Sequence, residues 1–284
     1  LEERRAGGEE WVWLSPKARK ELRDLPKVLV AARPAPGKPA PAPPKEVAPP
    51  EPRVTAEPAR PGGPVIVPPS PPKLVAPGAS KGEKLRWLAE RVADCPEVRA
   101  LDSLRETRVF STGNPDARLL FVGEAPGAEE ERQGEPFVGP AGQLLTRMIA
   151  AMGLQREETY ITNIVKFRPA VPNQGESNRK PTREEMAACL DFVLAEIEIV
   201  KPEVIVALGA TAACGLLGSE EPVGRLRNQF HSLGGVPLMV TFHPSYLLRN
   251  TNLSERRKVW EDLLLVMERL QLPISPKQRA FFTA

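Results

Sequence analysis

Four short apolar runs limit what this chain can fold into: Arg118–Gly123, Tyr160–Val165, Glu203–Leu208 and Val236–Thr241. Each has strand length, and segments with helical spacing surround them. Leu85, Leu88 and Val92 precede the first run. Leu144, Leu145, Met148 and Ile149 follow it and end at Gly153, and Met186, Leu190, Val193 and Ile197 follow the second. A last helix is expected from about residue 254 to 270, with Leu263, Met267 and Leu270 inward. Strands alternating with helices predict a parallel sheet covered on both faces. The expected fold class is α/β, a three-layer α/β/α sandwich around a central four-stranded, mostly parallel sheet.

Proline divides the chain. Of 33 prolines in 284 residues, about half lie between Pro34 and Pro77, in Ala- and Lys-rich sequence nearly free of aromatics. Such a stretch buries too little apolar surface to offset its ordering entropy. The expected organisation is a short helical docking segment at 1–32, a disordered linker at 33–79, a folded domain at 80–272 and a tail at 273–284. Trp11 and Trp13 lie in a segment too short for a core of its own, which fits either docking to a replication or repair partner or a frayed helix. A formal charge of +3 and a pI near 8.8 permit nucleic-acid contact without requiring it. No apolar run has membrane-spanning length, and the N-terminal residues lack the apolar core of a signal peptide. Three cysteines, Cys95, Cys189 and Cys214, do not form a disulfide framework. A monomeric, cytoplasmic, nucleoid-associated bacterial protein is expected.

In open sheets ligands bind beyond the carboxyl ends of the strands. Gly123-Glu124 ends the first run, Asn163 falls late in the second, and His243 follows the fourth. The turn Gly123-Glu124-Ala125-Pro126-Gly127 exposes backbone amides, or simply reverses the chain. Phe137, flanked by Pro136 and two nearby glycines, is either packing or a platform for a flat ring. Asn163 offers an acceptor beside a donor, the complement of uracil N3–H and O4 and the reverse of cytosine; a turn or capping role is the alternative. His243, fixed by Pro244-Ser245, is placed to stabilise negative charge on a leaving base. Leu247 and Leu248 beside Arg249 read either as a wedge replacing an extruded base or as core-facing residues.

Four blocks taken together resemble the uracil-DNA glycosylase superfamily, most closely its family four: GEAPGAEEERQGEPFVGPAGQLL at 123–145, YITNIVKFRP at 160–169, ALGATAA at 207–213 and TFHPSYLLRN at 241–250. The resemblance spans roughly residues 82–271. It implies hydrolysis of the bond between uracil and deoxyribose in DNA, leaving an abasic site. It implies that Gly123, Ala125, Phe137, Asn163 and His243 hold the uracil. Glu124 and Glu130 become the candidates for placing water, with His243 meeting uracil O2. Ser245, Leu247, Leu248, Arg249, Asn178 and Arg179 are the expected DNA contacts. Other branches carry Asp where this chain has Ala125, so stabilisation of the leaving base carries more of the expected catalysis.

The resemblance also implies a 4Fe–4S cluster on four cysteines, and here the chain departs. Cys95 and Cys189 match the first and fourth ligands, Val98 or Arg99 stands at the second, and Phe167 replaces the third. Two thiolates fall short of the usual set, so no cluster or other metal is expected, with Phe167 packed into the space. An insertion-like stretch, Ala170–Ser177, lengthens a loop near the expected pocket. Two other functions stay open at this point: a catalytically weak DNA-binding scaffold of the same fold, and a glycosylase for another deaminated or mismatched base.

Overall fold

A computed structural model describes residues 74–283. The expected docking segment with Trp11 and Trp13, and nearly all of the expected linker, fall outside the described residues. Eight strands are present among them: β1 (Leu104–Arg108), β2 (Ser111–Gly113), β3 (Leu119–Gly123), β4 (Tyr160–Asn163), β5 (Phe167–Pro169), β6 (Val204–Leu208), β7 (Phe230–Leu233) and β8 (Val236–Thr241). The helices are α1 (Lys81–Ala93), α2 (Pro96–Arg99), α3 (Ala128–Gln133), α4 (Pro140–Ala151), α5 (Arg183–Val200), α6 (Ala210–Leu217), α7 (Val223–Leu226), α8 (Pro244–Arg249), α9 (Leu253–Arg269) and α10 (Pro276–Arg279).

The main sheet has six strands rather than the expected four, in the order β2-β4-β3-β6-β8-β7. The four anticipated strands form its parallel centre. Antiparallel β2 and β7 close its edges. Three-residue β2 and mostly exposed β7 carry no buried alternation of their own; pairing with a longer neighbour is what makes them strands. β1 and β5 form a separate two-stranded ribbon.

Alternation along the central strands sends side chains to two cores. Leu120, Val122, Ile205, Ala207, Leu238 and Val240 face one side, with α1, α5 and α6. Leu119, Phe121, Val204, Val206, Leu208 and Met239 face the other, with α4 and α9. This is the expected three-layer sandwich. Helix starts are set locally: Ser80 and Glu83 form a reciprocal capping box on α1, and Thr182 and Glu185 do so on α5. Between β4 and α5 lies a fully buried ion pair, Lys166 with Glu196, joined by Thr162 and by the Tyr160 hydroxyl. Burial pushes the Glu196 carboxyl up against the pull of Lys166.

The segment expected as a tail is docked. Gln278 donates to the Ala151 carbonyl at 2.8 Å and accepts at its own carbonyl from the Trp260 indole at 2.6 Å. Phe281 packs beside Trp260, with ring centroids 5.2 Å apart. None of the helices of the described residues is long and apolar enough to cross a membrane.

Candidate active site

Strand register brings the expected residues to one edge. Gly123 pairs with Asn163 across β3 and β4, and Leu208 pairs with Thr241 across β6 and β8. The loops leaving these strands line one cavity of about 830 Å³, whose walls include Glu124, Ala125, Phe137, Asn163, Asn178, Thr211, His243 and Arg249. That size suits a small organic group with part of its attached chain.

Gly123 is needed at the end of β3, behind Asn163 and Phe137. A Cβ there would lie 2.3 Å from Asn163 Oδ1 and 2.4 Å from the Phe137 ring. Asn163 is buried, and its Oδ1 is the one buried side-chain polar atom without a partner among the described residues. An unpaired buried acceptor costs about 1–3 kcal/mol, so this atom is held ready for a donor that the protein does not supply.

Phe137 is buried with a left-handed backbone, φ 58°, a conformation that costs energy outside glycine. Two features hold it there. Gly142 lets α4 sit against the Phe137 carbonyl, where a Cβ would come within 1.8 Å. Glu130 accepts from the amides of Val138 and Gly139 at 3.0 and 2.9 Å through one oxygen, and from Gly127 at 3.1 Å through the other. Both Glu130 oxygens are thereby committed to backbone. Glu130 clamps the 123–127 turn to the Phe137 loop, while still lining the cavity.

His243 caps α8. Its Nδ1 accepts from the Ser245 amide at 3.2 Å and meets the Ser245 hydroxyl at 2.9 Å. A ring nitrogen that accepts carries no proton, so the neutral ring bears its hydrogen on Nε2. Burial, aided by the Arg249 charge, lowers the imidazole to about 4, so it is neutral at physiological pH. The Phe137 and His243 rings lie 5.6 Å apart. Ser245, which also lines the cavity, thereby orients His243.

The expected DNA contacts divide. Leu248 is exposed and Arg249 lies exposed at the cavity rim, whereas Leu247 is buried in the core and does not serve as a wedge. Arg179 lines the cavity, yet all five of its donors are spent on the Ala170, Lys180 and Ser103 carbonyls and both Glu185 oxygens. It braces the inserted loop rather than awaiting a phosphate. Arg168 holds the same loop through Asn178, Gly175 and Ser177, which leaves the Asn178 amide nitrogen beside Gly127 in the cavity wall.

Reading the sequence missed Thr211. Its hydroxyl donates to Glu124 Oε2. The available signal was a lone hydroxyl among alanines, in Ala210-Thr211-Ala212-Ala213.

The positions that the resemblance matches to cluster ligands, with Val98 or Arg99 at the second, lie in or against the core shared with α5. Cys95, Val98, Phe167 and Cys189 are all buried, and Arg99 stacks over the Phe167 ring at 5.2 Å. The Cys95 thiol donates to Glu97 at 3.0 Å. Burial raises both thiols, Cys189 to about 11. Among the described residues no three His, Cys, Asp or Glu side chains are grouped to hold a metal ion. A cluster that needs four thiolates does not fit these residues.

Comparison with known proteins agrees with the geometry. The type-4 uracil-DNA glycosylase of Thermotoga maritima is 47% identical over 186 residues, 65% of this chain and 93% of its own length. The enzymes of the same description from Archaeoglobus fulgidus and Saccharolobus solfataricus are 39% and 36% identical, over 87% of each of their lengths. The family model for the uracil DNA glycosylase superfamily matches residues 110–264, which takes in every cavity residue named above. A buried amide acceptor with no partner, an aromatic floor and a neutral histidine thus stand where that family match runs, and the chain belongs to the uracil DNA glycosylase superfamily.

Proposed function

We propose that this protein hydrolyses the N-glycosidic bond of deoxyuridine in DNA, as a monofunctional glycosylase that acts on a base turned out of the strand. The unpartnered Asn163 Oδ1 carries this reading. A uracil seated on Phe137 offers N3–H to that oxygen and O4 to the amide nitrogen. Cytosine reverses both, leaving two mismatched groups at roughly 1–3 kcal/mol each. A scaffold protein has no use for such a buried orphan, which weighs against the non-catalytic alternative.

In the reaction, a water oxygen bonds to C1′ as the C1′–N1 bond breaks and its electron pair passes to the uracil ring. His243 Nε2–H donates to O2, where that charge gathers. A neutral ring suits this role because it donates without losing its proton to the product. Glu124 has one oxygen on Thr211 and one left for the water, whose proton it receives. Ala125 supplies no carboxylate, so stabilisation of the departing anion is the larger contribution. Leu248 fills the space the base leaves, and Arg249 and the Asn178 amide meet the DNA backbone.

We further propose that the enzyme works without an iron–sulfur cluster. Having only two thiols at the matched positions, Cys95 and Cys189, with Val98 or Arg99 and Phe167 at the other two, supports this.

The decisive assay incubates purified protein with labelled oligonucleotides that carry U, T, hypoxanthine or C, followed by alkaline cleavage. Strand breakage only at U is expected. Breakage at T or hypoxanthine at a similar rate would favour the other-base reading, and none at U would sink the proposal. A preparation with iron and absorbance near 400 nm would overturn the cluster-free reading alone.

A further inference from the structure

We infer that Thr211 is the positioning residue that aims Glu124 at the attacking water; this rests on the role proposed above for Glu124. The backbone of Glu124 is pinned on the β4 side of its strand, where its carbonyl accepts from the Val165 amide at 3.0 Å. Its carboxylate is held from the opposite side by the Thr211 hydroxyl, because β6, which leads into α6, flanks β3 away from β4. One oxygen is therefore fixed by a charge-assisted hydrogen bond, which leaves the other as the only freely directed acceptor of the group.

The turn that carries Thr211 is tied to the end of β8 and packs closely against His243. Gly209 adopts φ 90°, its amide donates to the Thr241 carbonyl at 2.8 Å, and a Cβ on it would lie 3.1 Å from His243 Cβ. Residues 209–211 thus sit between β3 and β8 and reference Glu124 and His243 to one rigid element. Misplacing a reacting group by a fraction of an ångström slows a reaction without weakening binding. Thr211 should therefore act on the rate of excision and not on affinity for DNA.

The test uses Thr211→Val, which keeps the shape and removes the donor, and Thr211→Ser, which keeps the donor, both in the full chain. Single-turnover excision from a uracil-containing oligonucleotide is measured beside the dissociation constant for that DNA. The expected result is about a tenfold slower rate for Thr211→Val with unchanged affinity, and recovery to within about twofold for Thr211→Ser. In a Glu124→Gln background, itself slow, Thr211→Val should add less than about twofold. A Thr211→Val rate equal to the parent, a Ser variant as slow as Val, or an undiminished effect beside Glu124→Gln would overturn the inference. A Glu124→Gln variant with full activity would remove the water role of Glu124 itself, an outcome distinct from a slow Glu124→Gln beside an unaffected Thr211→Val.

Discussion

The cavity at the strand ends and the packed region around Phe167 lie on the same chain yet are finished in opposite ways. The cavity retains unspent interaction capacity: a bare acceptor on Asn163, a left-handed Phe137 and a histidine forced neutral. Around Phe167 nothing is left over. Val98, Phe167 and both thiols are buried, and the outer face of the ring is covered by Arg99. Stability and activity are therefore expected to separate between the two regions, since functional sites bear strain that the surrounding structure sustains.

The largest expected effect breaks the packed side. Phe167→Ala should lower the free energy of unfolding by about 3–5 kcal/mol, seen as an earlier denaturant midpoint, while excision per folded molecule stays near the parent value. A large loss of rate without loss of stability would erase the distinction. Next comes His243→Ala, expected to slow excision by about a hundred- to a thousandfold with little change in melting temperature. Asn163→Ala sharpens the contrast further. It should abolish discrimination between uracil and cytosine and yet raise stability by about 1 kcal/mol, because it deletes an unsatisfied acceptor. A lower melting temperature would count against that orphan being a real cost.

The smallest effect is in the pH dependence. With its folded value near 4, His243 stays neutral through the ordinary imidazole range. The excision rate should show no inflection near 6.5 and should fall only as pH approaches 4. For stability the sign follows from linkage. Below about 6.5 the unfolded imidazole binds a proton that the folded one refuses, so stability is lost as pH falls from that value toward 4. Replacing Arg249 with Gln should raise the folded value, since the Arg249 charge adds to burial.

Much of this architecture was legible in the sequence because the central strands are nearly continuous apolar runs, and Asn163 and His243 interrupt or end two of them with a single polar group. What was not legible depends on partners distant in the chain. β2 and β7 exist through pairing alone. Leu247 and Leu248 are adjacent and chemically alike, and only the rotation of a single helical turn sends one inward. Arg179 reads as a free cation until Ser103 and Glu185 are seen to consume it. The same holds for Glu130, whose three amide donors come from residues on both sides of it. The inward Lys166–Glu196 pair runs against every rule of hydropathy, and a separation of 30 positions along the chain hides the match.

The lone acceptor on Asn163 has a consequence for turnover. Whatever ring presents an imide hydrogen to it relieves the same deficit, and free uracil carries that hydrogen after the bond is cut as it did before. On the role proposed for Asn163, selectivity and product retention are one property, and the pace of repeated cycles should follow how fast the excised base is given up.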